Sequence, residues 1–347
     1  MADTGSDVLR SRAAKALGTL LTLKPRVDPL IAELVTGTRT TDSGVRNAML
    51  KALYEVVSKA GENMSEASRN SILGLIDNET EQMNEATDIT NARLLGALIK
   101  SLSPSDAQPL IKSRALAAKM TRASILNLNS ILVECPSILL TTFSQETPAL
   151  IAQGIGSGST FLSDNSILAA GKYLLQPIDS ETAPTFDTSK LLFQALARVI
   201  PPGHPADTRR LALVVLRTIS RHNQQLVRPH VPLLAPPIFA SVRDMIIPVK
   251  LSAEGAFLTL FDVIEQESAL FDKYIAGPAS QDLAAPQKKS MGDYFKRVAL
   301  RLASQARERL EAEGGTKGSL GLSSDEVEDE REVWSVGKVE IGDVFSD

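Results

Sequence analysis

A single cysteine, Cys135, occurs in the 347 residues, beside only three histidines and one tryptophan. One thiol excludes an internal disulfide and any site built on several thiolates, and it points to a reducing compartment. His204, His222 and His230 lie apart from one another, with no HExxH and no His/Asp/Glu cluster, so no metal centre is expected. Aromatic residues make up 4% of the chain. A core that poor in rings must be built from Leu, Ile, Val and Ala, which suits helix-on-helix packing better than a β-sandwich. No apolar run approaches the roughly 18 residues a membrane helix needs, and "MADTGSDVLR" lacks the apolar stretch of a secretory signal. A soluble cytosolic protein without a membrane partner is the expectation.

Catalytic signals are equally scarce. Cys135 sits in the apolar context "LVECPS" with no nucleophile-activating neighbour, and reads as a small buried hydrophobe. "GIGSGST", from Gly154, alternates glycine like a phosphate loop. It follows a helix rather than a strand and has no Lys-Ser/Thr ending, so it reads as an inter-helix loop. No enzymatic activity, cofactor or small-molecule substrate is expected.

What is present is a repeat. "VLRSRAAKAL", "GVRNAMLKAL", "TRRLALVVL" and "VKLSAEGAF" place a basic residue at Arg10, Arg46, Arg209 and Lys250. Small or apolar residues follow at +3, +6 and +7, which is one face of a helix. Arg10 to Arg46 is 36 residues, Arg209 to Lys250 is 41, and Arg46 to Arg209 is 163, about four units. A second marker keeps the same period: a proline before an apolar run at 29, 109, 148 and 232. "SEASRNSILGLI" and "DTSKLLFQALARVI" fall where the missing instances belong. Each unit therefore reads as a proline-led first helix followed by a second helix carrying the Val-Arg pattern. Two helices in about 40 residues is the HEAT/armadillo period. The expected fold is all-α, a right-handed α-solenoid of HEAT/armadillo-like helical-hairpin repeats over residues 1–275, with six to seven pairs and the first incomplete. Arg10, Arg46, Arg209 and Lys250 are expected to be structural ladder residues reaching an Asp of their own or the neighbouring repeat, with Asp7, Asp42 and Asp207 suitably placed.

Beyond the repeats, 276–289 reads as a linker and 290–313 as an amphipathic terminal helix capped by Ser290. Residues 314–347 read as an acidic disordered tail. From Ser323 onward nine acidic residues face two basic ones, a balance of −7. The whole chain carries −4, so residues 1–322 carry about +3. Arg210, Arg217 and Arg221 stand opposite the apolar face of their helix, either as a ridge for an acidic partner or as a solvated face. The same two readings apply to Lys296, Arg297 and Arg301. In the tail, "VWSVGKVEIGDVF", with Trp334, holds more apolar residues than a solubilising segment needs and offers a docking segment as the alternative. The helix around Arg10 has no first helix before it, which predicts that the natural unit extends upstream of Met1.

Longer blocks carry a more specific signal than the periodicity. "KPRVDPLIAELVTGTRTTDSGVRNAMLKAL", "PADTRRLALVVLRTISRH", "PPIFASVRDMIIPVKLSAEGAFLTLF" and "SMGDYFKRVALRLASQARERLEAEGG" resemble the C-terminal region of the general control non-derepressible translational activator family, in its fungal form. The resemblance implies a segment of a large cytoplasmic, ribosome-associated HEAT-repeat scaffold that promotes activation of the initiation factor 2-alpha kinase in amino-acid starvation. It further implies the RWD domain of that kinase, or of related proteins, as a partner, and ribosome contact mainly through repeats upstream of this segment. The periodicity alone equally admits a HEAT adaptor of the nuclear-transport or phosphatase-scaffold type.

Overall fold

Two kinds of helix alternate along the chain, and the computed structural model describes them over residues 27–40, 42–78, 85–177 and 184–265. The Arg10 helix, the linker, the terminal helix and the acidic tail lie outside the described residues. The first three pairs are α1 (Asp28–Gly37) with α2 (Ser43–Ala60), α3 (Glu66–Asn78) with α4 (Glu85–Lys100), and α5 (Pro104–Arg114) with α6 (Arg122–Glu134). A short α7 (Pro136–Thr141) follows. Then come α8 (Glu146–Ile155) with α9 (Thr160–Leu174), and α10 (Phe186–Val199) with α11 (Ala206–His222). A short α12 (Gln224–Val227) leads to α13 (Val231–Ser241), paired with α14 (Ile247–Glu265). Among the described residues no strand forms, and the one β-bridge joins Pro202 and His204 around Gly203. The fold is an all-α stack of HEAT-type hairpins.

The described residues divide into two units, 27–142 and 143–265. In the first, the second helices stack in the order α2, α4, α6, each also packed on its own first helix. In the second, α9, α11 and α14 stack in the same way, and α8, α10 and α13 form the layer of first helices.

Local chemistry sets the helix starts. Asp42 Oδ1 accepts the backbone N–H groups of Gly44 at 2.8 Å and Val45 at 3.1 Å, satisfying two of the donors that a helix start leaves without an internal partner. Ser103, Thr121, Ser159 and Thr185 cap α5, α6, α9 and α10 in the same manner. The proline marker holds only in part. Pro29 and Pro232 stand in the first turns of α1 and α13, but α5 opens at Pro104 and carries Pro109 inside it. Ser103 and Pro104 already open that helix, so Pro109 costs it an internal N–H bond rather than marking its start. Helices α3 and α10 open without proline.

The face that follows each basic residue is the core. Ala212, Val215, Leu216 and Ile219 on α11, and Ala253, Ala256 and Phe257 on α14, are buried. Second helices approach closely where side chains are small. A Cβ on Gly96 of α4 would stand 3.1 Å from Ser130 Cβ and 3.2 Å from the Ser130 backbone carbon on α6.

Polar groups pin this stack in a fixed register. Thr208, the third residue of α11, donates to Asp164, the fifth of α9, at 2.6 Å. Thr87, the third of α4, donates to Asn47, the fifth of α2, at 2.9 Å. In the other layer Asp28 accepts from Ser65 N–H at 2.9 Å and Ser68 Oγ at 2.6 Å. The partners of the basic marker differ from those expected. Arg46 donates to the Thr40 carbonyl at 2.8 Å, because Asp42 is taken up as a cap. Arg209 donates through Nε to the Ile200 carbonyl at 2.8 Å and pairs through Nη2 with Asp244, in the turn of the next repeat, while Asp207 stays exposed.

Two outcomes follow for stability. Arg209 and Asp244 side chains are 4% and 7% exposed, so Arg209→Ala leaves a buried carboxylate unpaired and should cost about 3 kcal/mol or more in chemical denaturation. The Arg209 hydrogen bond, with the Ile246 N–H behind it, holds the Asp244 carboxyl below the usual carboxylate range. The advantage of the parent over Arg209→Ala is therefore full at neutral pH and shrinks as pH falls below about 3.9. Gly96→Ala should lower the melting temperature, although alanine is the better helix former by about 1 kcal/mol in the open, because its methyl has no room against α6.

Candidate interaction face

On α11 the residues opposite the buried stripe are Arg210, Arg217 and Arg221, and all three are half-buried. Arg217 lies along α14: a Cβ on Gly255 would sit 2.8 Å from its Nη1 and 3.1 Å from its Cδ. The three arginines are thus not a free-standing ridge. Arg217 spans two second helices through the notch that Gly255 leaves, so reversing its charge also disturbs the α11–α14 packing.

Sequence reading missed the continuation of this column onto α9. Matching the buried Ile167, Ala170 and Leu174 to Ala212, Val215 and Ile219 sets Asn165 and Lys172 at the positions of Arg210 and Arg217. Both are fully buried. The signal was available: Lys172 follows Asn165 by seven residues, the spacing that separates Arg210 from Arg217. On α14 the same positions hold Leu251 and Leu258.

A second unforeseen feature opens α14. Met245, 94% exposed, stands with Ile246, Ile247 and Leu251 as an apolar patch. Three apolar residues between Asp244 and Pro248 were its sequence signature. Lys250 lies half-buried beside them. Arg10, Lys296, Arg297, Arg301 and Trp334 lie outside the described residues.

The chemistry-bearing side chains are placed structurally. Cys135 ends α6, its N–H donating to the Ile131 carbonyl at 2.9 Å. Burial, reinforced by the Glu134 charge, pushes its thiol up to about 12. His230 is buried, stacked on Phe186 at 4.9 Å and against Phe193 at 5.0 Å, with its Nε2 2.9 Å from Ser189 Oγ. Burial first, and then the charge of Lys190, lowers its pKa. His204 and His222 are exposed elsewhere. Among the described residues no three His, Cys, Asp or Glu side chains converge as a metal site, and no helix is long and apolar enough to cross a membrane. The glycine-rich loop before α9 ends in Ser159, whose hydroxyl caps that helix at the Leu162 N–H, 3.4 Å away. What the arrangement offers is a surface.

Comparison with known proteins gives that surface a context. A family model described as "Stalled ribosome sensor GCN1-like, HEAT repeats" matches residues 28–313. The chain is 36% identical to the Saccharomyces cerevisiae protein "eIF-2-alpha kinase activator GCN1", over 98% of this chain and 14% of that protein. It is 28% identical to "Protein ILITYHIA" of Arabidopsis thaliana, over 78% of this chain and 10% of that one. Over 110 residues it is 34% identical to the human "Stalled ribosome sensor GCN1", covering 4% of it. The chain spans a small fraction of the length of the relatives it matches.

Two side chains report on their surroundings: Cys135, which is half-buried rather than fully buried as its apolar context suggested, and the buried His230. Cys135 should react with iodoacetamide at pH 8 far more slowly in the folded chain than in denaturant, since its thiolate fraction is suppressed. For His230 the folded pKa lies below the unfolded value of about 6.5, so its neutral state contributes stability above that pH. This contribution should fade as the pH drops from there through the folded pKa, and His230→Gln should flatten the dependence between about pH 7 and 5.

Proposed function

As a member of the stalled ribosome sensor GCN1-like HEAT-repeat family, this chain, we propose, is a non-catalytic scaffold segment of a translational activator. It acts by protein–protein binding to promote activation of the initiation factor 2-alpha kinase in amino-acid starvation. The observation that carries the reading is similarity over 98% of the chain to a yeast protein named as a kinase activator. The second-helix column of Arg210, Arg217 and Arg221 supplies a cationic surface for a partner, in keeping with a binding role. The partner proposed is an RWD domain of the kinase or a related protein. Ribosome contact is assigned mainly to repeats upstream of this segment, which makes the protein cytoplasmic and ribosome-associated.

The test is a pull-down of the chain with an isolated RWD domain and, in parallel, with purified ribosomes. Retention of the RWD domain is the expected result, falling as salt rises because exposed charges are screened within about 10 Å at 0.1 M. Arg210→Glu with Arg221→Glu, leaving the packed Arg217 in place, should weaken retention about tenfold or more without changing the melting temperature by more than a few degrees. Unchanged affinity removes this column from the binding surface, and ribosome binding without RWD binding overturns the assignment of partner.

A further inference from the structure

One hydrogen bond in the first unit skips a repeat. Helices α2, α4 and α6 lie in a row, with α4 packed against both of the others. In such an array each repeat ordinarily contacts only its neighbours. Yet the hydroxyl of Tyr54 on α2 donates to Glu134 Oε1 on α6 at 2.8 Å. Lys100 of α4 meets the other oxygen of the same carboxylate, its Nζ donating to Oε2 at 3.4 Å. Three successive second helices thus converge on one carboxylate.

Tyr54 is the twelfth residue of α2 and Glu134 the thirteenth of α6, so the bond crosses the row at one height. At that height α4 places Ala97, its own thirteenth residue. Arg93, Ala97 and Lys100 share one stripe of α4, yet the two cations are exposed while Ala97 is 1% exposed. Helix axes in contact lie about 8–10 Å apart, so two steps of a straight row separate α2 from α6 by roughly 16–20 Å. One tyrosine and one glutamate meet across that gap by reaching over α4, with the row curved towards them. The close approach of α6 to α4 at Gly96 and Ser130 shortens the gap.

We propose that Tyr54 and Glu134 form a clasp that sets the curvature of the first unit and closes the second-helix face of α4 over Ala97. Burial first, and then the bond to Glu134, push the Tyr54 phenol up to about 12, so it stays a donor throughout the neutral range. A hydrogen bond to an ionised acceptor shifts an equilibrium by about tenfold to a hundredfold. That holds the clasp shut and leaves an open form within reach. Tyr54 and Glu134 are both half-buried. A peptide laid along α4 can therefore take over the two ends, its C=O accepting from Tyr54 and its N–H donating to Glu134. The bend of the unit and access to α4 then change together. The clasp itself needs no particular partner, so it stands apart from the kinase reading.

The test uses the full chain carrying Cys135→Ala. Spin labels enter through Lys51→Cys on α2 and Ser137→Cys directly after α6, both at exposed positions, and pulsed electron resonance reads their separation. Tyr54→Phe removes the donor with little change of shape, and should lengthen and broaden that separation by several ångströms. Glu134→Leu removes the acceptor and should do the same. The double variant should go no further than either single one, because the two changes remove one shared bond. In a second Cys135→Ala chain, a thiol introduced by Ala97→Cys reports on the face of α4, and its alkylation should quicken about tenfold with Tyr54→Phe. Tyr54→Phe, the milder change, decides the matter alone if Glu134→Leu does not fold. An unchanged separation in Tyr54→Phe, additive effects in the double variant, or an equally slow thiol at position 97 with and without Tyr54→Phe overturns the proposal.

Discussion

No hairpin in this chain can hide its own apolar stripe. Among the described residues, α4 and α11 each pack on their own first helix and on the second helices at either side within their unit, so stability passes from neighbour to neighbour as in a linear repeat array. That constraint explains why, where the basic marker occurs, small and apolar residues follow it at fixed spacing. Ala212, Val215, Leu216 and Ile219 occupy the positions that Ala253, Ala256, Phe257 and Leu260 occupy one repeat later, all of them buried. Side-chain volume at these positions sets how near the helices come. The approach of α4 to α6 at Gly96 and Ser130 is the tightest expression of it.

Apolar stripes alone do not set register, since one helix can slide along another by a turn and still bury leucines. Directional polar contacts resolve the ambiguity. The hydrogen bonds Thr208 to Asp164 and Thr87 to Asn47 join the third residue of one second helix to the fifth of the previous one, in both units. Each is lost if the helices shift. The Arg209–Asp244 pair acts at the turn instead, tying the start of α11 to the turn preceding α14. Arg46 fixes its own loop through the Thr40 carbonyl. One sequence position thus serves two ends, by whichever acceptor the turn brings within reach.

This difference marks the limit of what could be read from residue order. The helices, their pairing and their period were legible because a 3.6-residue stripe and a 40-residue repeat are both properties of spacing. Asp42 was expected to meet Arg46, and its capture as a cap by the Gly44 and Val45 N–H groups, which leaves Arg46 to the Thr40 carbonyl, was not legible. Asp244 as the partner of Arg209 was not, because 35 residues separate them and only the turn geometry selects it over Asp207. Pro109 misled because a proline tolerated within a short helix and one that opens a helix look alike without the cap beside them. Lys172 was overlooked because its seven-residue spacing from Asn165 pairs it with an amide rather than a second cation, so it does not stand out as Arg210 and Arg217 do.

The function of such a scaffold resides where the repeat logic relaxes. Equivalent positions on α9, α11 and α14 hold Asn165 and Lys172, then Arg210 and Arg217, then Leu251 and Leu258, and their burial differs: Asn165, Lys172 and Leu258 are buried, the two arginines half-buried, and Leu251 exposed. Arg217 packs into the notch at Gly255 and Lys172 is fully buried, so the cationic character of these positions is bound up with the packing of the stack. The apolar residues that open α14, Met245, Ile246 and Ile247, are instead left exposed, so that turn is where packing constrains side-chain chemistry least.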